Sequence, residues 1–123
     1  IPIALDEELI GICGKQKRLK LLNKLKPKYL VLKPGVHGGF SSCDLWIEIA
    51  DEMGMDWWAT SALESNIGLN AIAQWTATKE HTAFHGLGTG MLYSNNFESP
   101  LSINNGKIAF DPDAKWNLEN LLK

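Results

Sequence analysis

Cysteine is scarce, with only Cys13 and Cys43 in 123 residues. That excludes a disulfide-stapled scaffold, and the pair has no metal-ligand spacing, so both read as free thiols of a reducing, cytoplasmic compartment. Long apolar runs are missing too: the longest are strand-sized, such as residues 29–32, against the roughly 18 residues needed to cross a bilayer. No transmembrane helix is expected. Basic charge is not in excess, and a net charge of −2 argues against a general nucleic-acid binder. The opening residues carry neither an initiator methionine nor a basic, apolar leader, so the chain is expected to begin within an element of a longer protein. What is present is 45% hydrophobic content, ordinary for a soluble domain with one modest core.

The basic residues are nonetheless clustered between Lys15 and Lys28. Leu19, Leu22 and Leu25 recur there at helical spacing, so the lysines and Arg18 read as the wet face of an amphipathic helix that Pro27 stops.

Short apolar strands alternate with helical patterns along the chain, the signature of parallel strand–helix units. Strands are predicted at residues 3–5, 29–32, 57–60 and 83–85. A second helix is expected to start near Ser42 and Asp44, which can cap it, to bury Leu45, Ile49 and Met53, and to end at Gly54; a third starts near Asn66. The polar residues closing the strands, Asp6, Lys33, Ser61 and His85, recur at intervals of roughly 25 residues, about one strand–helix unit. The leucine-and-asparagine consensus of a solenoid is missing. An open doubly wound sheet would carry a glycine-rich phosphate turn after its first strand, where this chain has Asp6-Glu7-Glu8-Leu9. A (β/α) barrel is therefore favoured. Asn105-Gly106 between two short apolar runs predicts a hairpin over residues 101–110. Asp111-Pro112 then reads as the start of a short helix burying Trp116 and Leu121.

In such barrels the chemistry gathers at the C-terminal strand ends. Alternation puts Ala4 with Asp6, Val31 with Lys33 and Ala59 with Ser61 on inward faces, and turns Glu7 away from Asp6. Lys33, before Pro34-Gly35, can be a rim lysine reaching solvent or a poised cation suited to proton transfer or to holding an enolate. Asp6 is a hard-cation ligand, but one carboxylate does not make a Mg²⁺ site. Residues 60–68 lead into a helix N-terminus that can bind a carboxylate or can simply be capped. His37, His81 and His85 have no zinc spacing and are assigned structural or surface roles. Gly86, Gly88 and Gly90 do not form a dinucleotide fingerprint.

Taken in order, Ala4-Leu5-Asp6-Glu7, Leu32-Lys33-Pro34 with Gly38-Gly39, and Ser61-Ala62-Leu63-Glu64-Ser65-Asn66-Ile67-Gly68 resemble the enolase superfamily, in its muconate-lactonizing subgroup. His85-Gly86-Leu87-Gly88-Thr89-Gly90 and the hairpin resemble its o-succinylbenzoate synthase family. The resemblance implies the C-terminal portion of a (β/α)7β TIM-type barrel, about its last four units over residues 1–123, ending in a hairpin and short helix. It implies Asp6 as a Mg²⁺ ligand on the fifth strand and Lys33 as the sixth-strand lysine that stabilises an enolate. Ser61, Glu64, Ser65 and Gly86 would bind the substrate, a small-molecule carboxylate. The capping domain, the Lys-x-Lys motif and two further metal carboxylates of that family are absent from these residues. The isolated chain is therefore expected to be inactive, with an incomplete metal site and strand edges open to self-association. A dipeptide epimerase or an N-acylamino acid racemase of the same subgroup is the rival. The Asp-x-Asp pair of the epimerases has no counterpart in Gly86-Leu87-Gly88.

Overall fold

A computed structural model describes residues 1–121. Three short parallel strands, β1 (Ala4–Leu5), β2 (Tyr29–Leu32) and β3 (Asp56–Ala59), lie side by side in that order. They are joined by two helices, α1 (Lys15–Leu25) and α2 (Phe40–Glu52). Parallel neighbours need such crossovers, and each helix lays an apolar stripe on the same face of the sheet. Leu5, Leu30, Leu32, Trp57 and Ala59 from the strands pack there with Leu22, Cys43, Trp46 and Ile49 from the helices. Burial pushes the Cys43 thiol up to about 12, which makes it an inert packing residue.

Arg18 does not belong to the wet face of α1. It is 3% exposed, its guanidinium donating to the carbonyls of Ile12 (3.2 Å) and Ser42 (2.7 Å) and to Ser42 Oγ (2.6 Å), while it lies 4.5 Å over the Trp46 ring. Three of its donors find acceptors in a fork that one lysine ammonium could not reproduce, so it staples α1 to α2. Ser42 and Asp44 accordingly do not cap α2, which begins after Gly39. Asp44 instead accepts from Trp75 Nε1 at 2.9 Å and pairs with Lys79 at 2.6 Å.

Helix α3 (Asn66–Ala77) follows β3. The fourth strand expected at residues 83–85 is reduced to one parallel bridge between Thr60 and Gly86. The reason is local: the Ala59 N–H donates to His85 Nδ1 at 3.0 Å, a side chain taking the ladder position that a strand carbonyl would fill. The Gly86 N–H still reaches the Ala59 carbonyl at 2.8 Å. Beyond it, β4 (Leu101–Asn104) and β5 (Lys107–Phe110) form the expected hairpin, with Asn105 (φ 50°) and Gly106 (φ 73°) turning in the left-handed region. The last helix starts later than Asp111. Asp111 caps a turn through Asp113, Asn117 is held extended by a bridge to Glu98, and a single 3₁₀ turn occupies Glu119–Leu121. Trp116 is half-buried and Leu121 is 52% exposed. No helix among the described residues is long and apolar enough to cross a membrane.

Candidate functional site

The face of the sheet opposite the helices carries the polar strand ends. Register pairs Val31 with Trp58 and Leu5 with Leu30, so Asp6, Val31, Lys33, Trp58 and Thr60 share that face by alternation. Together with Glu7, Ile10, Val36, Ser61, Ala62 and Leu63 they line an open pocket of about 530 Å³. Asp6, Lys33 and Ser61 are thus brought to one end of the sheet.

At the centre of the pocket, Lys33 Nζ lies 2.9 Å from Asp6 Oδ1, an oxygen with no hydrogen-bond partner otherwise, and 3.9 Å from Glu7 Oε1. Glu7 does not point away from Asp6. β1 ends at Leu5 and a 3₁₀ turn begins at Glu7, so strand alternation no longer governs it. The inward partner at the end of β3 differs as well. Ala59 is packed in the helix-side core, and Thr60 takes the level of Lys33, while Ser61 enters the pocket because the chain has already left the strand. Ser61 is buried, and its hydroxyl contacts that of Thr89.

Of the 60–68 segment, Glu64 is engaged within the segment itself and Ser65 stands at the start of the next helix. Glu64 Oε2 accepts from the Ala62 N–H at 2.6 Å, and Ser65 occupies the N-cap of α3 without a side-chain cap bond. The first N–H of that helix, on Asn66, is taken by Asn96 Oδ1 at 2.8 Å, so the helix start is in part already capped. Gly86 faces Thr60 closely: a Cβ there would lie 2.8 Å from Thr60 Oγ1, whose hydroxyl donates to the Gly86 carbonyl at 2.8 Å. Leu63 lines the pocket with a left-handed backbone (φ 67°), its carbonyl held by the Tyr93 hydroxyl at 2.7 Å.

His37 carries no signal of a site role in the sequence, where it is a lone histidine after a glycine-containing turn. It is 4% exposed and accepts the Lys33 N–H on Nδ1 at 3.1 Å. Burial holds its pKa below the usual histidine value, against the raising influence of the nearby Asp6 carboxylate. His81 and His85 lie apart from the pocket, in an aromatic group with Trp57.

As a metal centre the site does not stand on these residues alone. Among the described residues no group of three His, Cys, Asp or Glu side chains is arranged to hold an ion. In the pocket the buried Asp6 Oδ1 already faces the Lys33 ammonium.

No family model matches the chain. It is 53% identical over 108 residues to the o-succinylbenzoate synthase of Desulfotalea psychrophila (strain LSv54 / DSM 12343), covering 88% of this chain and 29% of that protein. The chain thus spans less than a third of the curated relative it matches. The crystal structure of MenC from Desulfotalea psychrophila LSv54 superposes with a TM-score of 0.82 at 52% identity, over 88% of this chain and 30% of the other. Two more distant structures share the fold. The L-Ala-D/L-Glu epimerase from Bacillus subtilis gives a TM-score of 0.74 at 18% identity, and a mandelate racemase/muconate lactonizing enzyme from Roseiflexus sp. gives 0.75 at 20%. Each match covers 89% of this chain and 30% of the other.

Proposed function

We propose that this chain, a segment of an enolase-superfamily barrel, carries the Lys33 side of an o-succinylbenzoate synthase active site. That enzyme, a carbon–oxygen lyase of menaquinone biosynthesis in the cytoplasm, would dehydrate a cyclohexadiene carboxylate. The observation that carries the reading is the Lys33 ammonium held 2.9 Å from Asp6 at the strand ends, in a pocket where Val31, Val36, Trp58 and Leu63 supply apolar wall beside the hydroxyls of Thr60 and Ser61.

The chemistry starts with removal of the proton α to the carboxylate, which places developing negative charge on the carboxylate oxygens. Lys33 is suited to stabilise that charge as a preorganised cation, since its ammonium is already oriented by Asp6 before substrate arrives. Hydroxide then leaves the ring, is protonated to water, and the ring becomes aromatic. Val31, Val36, Trp58 and Leu63 offer apolar surface to the ring. The Ser61 hydroxyl, with Thr89, is positioned to donate to a carboxylate oxygen, and Glu64, Ser65 and Gly86 shape the loops around it. Mg²⁺, with Asp6 as one ligand, belongs to the proposed whole enzyme, since the residues here do not compose its site. The resemblance puts the proton-abstracting base on the Lys-x-Lys motif of the barrel's second strand, which these residues do not contain. The 123-residue chain, one partial barrel domain, is accordingly proposed to be inactive alone and to offer its open strand edges to another copy or to the rest of a barrel.

A chimera tests this reading. The matched segment of the Desulfotalea psychrophila synthase is replaced by this chain's residues, and product formation is followed spectrophotometrically. The chimera is expected to turn over, and Lys33→Ala within it to lower kcat by about a hundredfold or more, the scale of a lost charge-stabilising group. A folded chimera without activity, or a Lys33→Ala chimera as fast as its parent, would overturn the assignment.

A further inference from the structure

We propose that His37 is a positioning residue for Lys33: a neutral ring, protonated on Nε2, that locks the end of β2 beside the end of β1 so that the ammonium is delivered to Asp6. This rests on the functional reading above only in treating Lys33 as functional, because the lock itself is read from geometry.

Two backbone–backbone hydrogen bonds and one to a side chain define the lock. The Lys33 carbonyl accepts from the N–H groups of Val36 (3.0 Å) and His37 (2.9 Å), and the Lys33 N–H donates to His37 Nδ1 (3.1 Å). Both backbone groups of Lys33 are therefore satisfied within the five residues Lys33-Pro34-Gly35-Val36-His37. β1 pairs with β2 only as far as Leu5 and Leu30, so no strand offers an acceptor to the Lys33 N–H, and the imidazole supplies it. An accepting Nδ1 puts the proton of the neutral ring on Nε2. That Nε2 is buried and makes no well-formed hydrogen bond, although the ring lies near the Asp6 backbone just beyond β1. An orphaned buried donor costs stability, and such a cost is tolerated where the group fixes something else. What it fixes here is the backbone of the residue whose side chain enters the pocket.

The test uses the isotopically labelled 123-residue chain and the chimera described above. A long-range proton–nitrogen spectrum is expected to show His37 Nδ1 unprotonated and Nε2 protonated. His37→Phe keeps ring volume without the acceptor, whereas His37→Asn keeps an acceptor oxygen near the Nδ1 position. Amide exchange at Lys33 and its acetylation by acetic anhydride, referenced to exposed Lys17, are then measured by NMR and mass spectrometry. His37→Phe is expected to raise both by about tenfold, the upper range for one lost hydrogen bond. His37→Asn is expected to return both to near the parental values. In the chimera, His37→Phe should lower kcat with little change in KM, and His37→Asn should recover it. An Nδ1-protonated ring, unchanged Lys33 exchange in His37→Phe, or no rescue by His37→Asn would overturn the lock. Should the parental chimera lack activity, the functional reading falls while the exchange and acetylation data still decide the lock. An active chimera whose kcat ignores His37→Phe would overturn the positioning role.

Discussion

Lys33 and Asp6 come from different strands and meet at 2.9 Å in the pocket. The Lys33 side chain is 17% exposed and that of Asp6 41%, which places the pair between a surface ion pair and a buried one. A double-mutant cycle with Asp6→Asn and Lys33→Met, read by urea denaturation, is expected to give a coupling of about 1 kcal/mol or less. Glu7→Gln should cost less again, since Glu7 is 80% exposed and 3.9 Å away. A coupling well above that range would mean the pair is a main support of the fold rather than an arrangement kept for chemistry.

Divalent-metal binding follows from the same contact. With Asp6 facing an ammonium and Glu7 the only other carboxylate in the pocket, Mg²⁺ would compete with Lys33 for hard oxygen ligands and keep most of its water. Titration calorimetry of the isolated chain should give no Mg²⁺ binding tighter than millimolar. Micromolar binding that Asp6→Asn abolishes would show that the pocket already holds a formed metal site.

Three of the four expected strands, the three long helices and the hairpin are legible because each rests on a local signal: an apolar run, a helical stripe such as the one closed by Pro27, or Asn105-Gly106; the strand at 83–85 and the helix from Asp111 are not formed as expected. What alternation could not foresee were the places where the chain leaves a strand. Glu7 sits in the pocket because a 3₁₀ turn follows β1 at once, and Ser61 reaches it only because β3 stops at Ala59. Arg18 read as one more exposed cation. Its burial depends on carbonyls from distant residues that no sequence window contains. His37 and His85 take structural roles, as expected, but which backbone N–H each ring accepts depends on where a neighbouring strand ends, and no sequence window contains that.

Those two histidines set a pH dependence. Burial lowers the pKa of both His37 and His85 in the folded chain. Unfolding therefore takes up protons, and stability is fully present above the unfolded value near 6.5 and is lost as pH falls through the lower folded values. Thermal melts from about pH 7.5 to about pH 5 should show a falling midpoint. His85→Gln, which offers the Ala59 N–H an uncharged acceptor, should flatten part of the fall. A midpoint that is level across this window in the parent chain would remove the histidine contribution. Asp56 acts in a separate, more acidic window. Its pKa is lowered by the Trp57 N–H and by His81, so its contribution is present above the unfolded value of about 3.9 and disappears as pH falls below it.

Leu63 offers a test in which stability and function move in opposite directions. A leucine at φ 67° sits in a region that costs an L-residue about 1–2 kcal/mol, yet its side chain is 57% exposed over the pocket rather than packed in the core. The conformation is held from outside by the Tyr93 hydroxyl on the Leu63 carbonyl and by the Glu64 carboxylate on the preceding N–H. Leu63→Gly should relieve the backbone cost, offset in part by the extra chain entropy of glycine, and stabilise the chain by about 1 kcal/mol or less. Tyr93→Phe should cost about 1 kcal/mol through the lost hydrogen bond. In the chimera, Leu63→Gly should raise KM, because the apolar wall facing the substrate ring is gone. If Leu63→Gly instead destabilises the chain and leaves KM unchanged, the side chain serves packing, and the loop is not strained on behalf of the pocket.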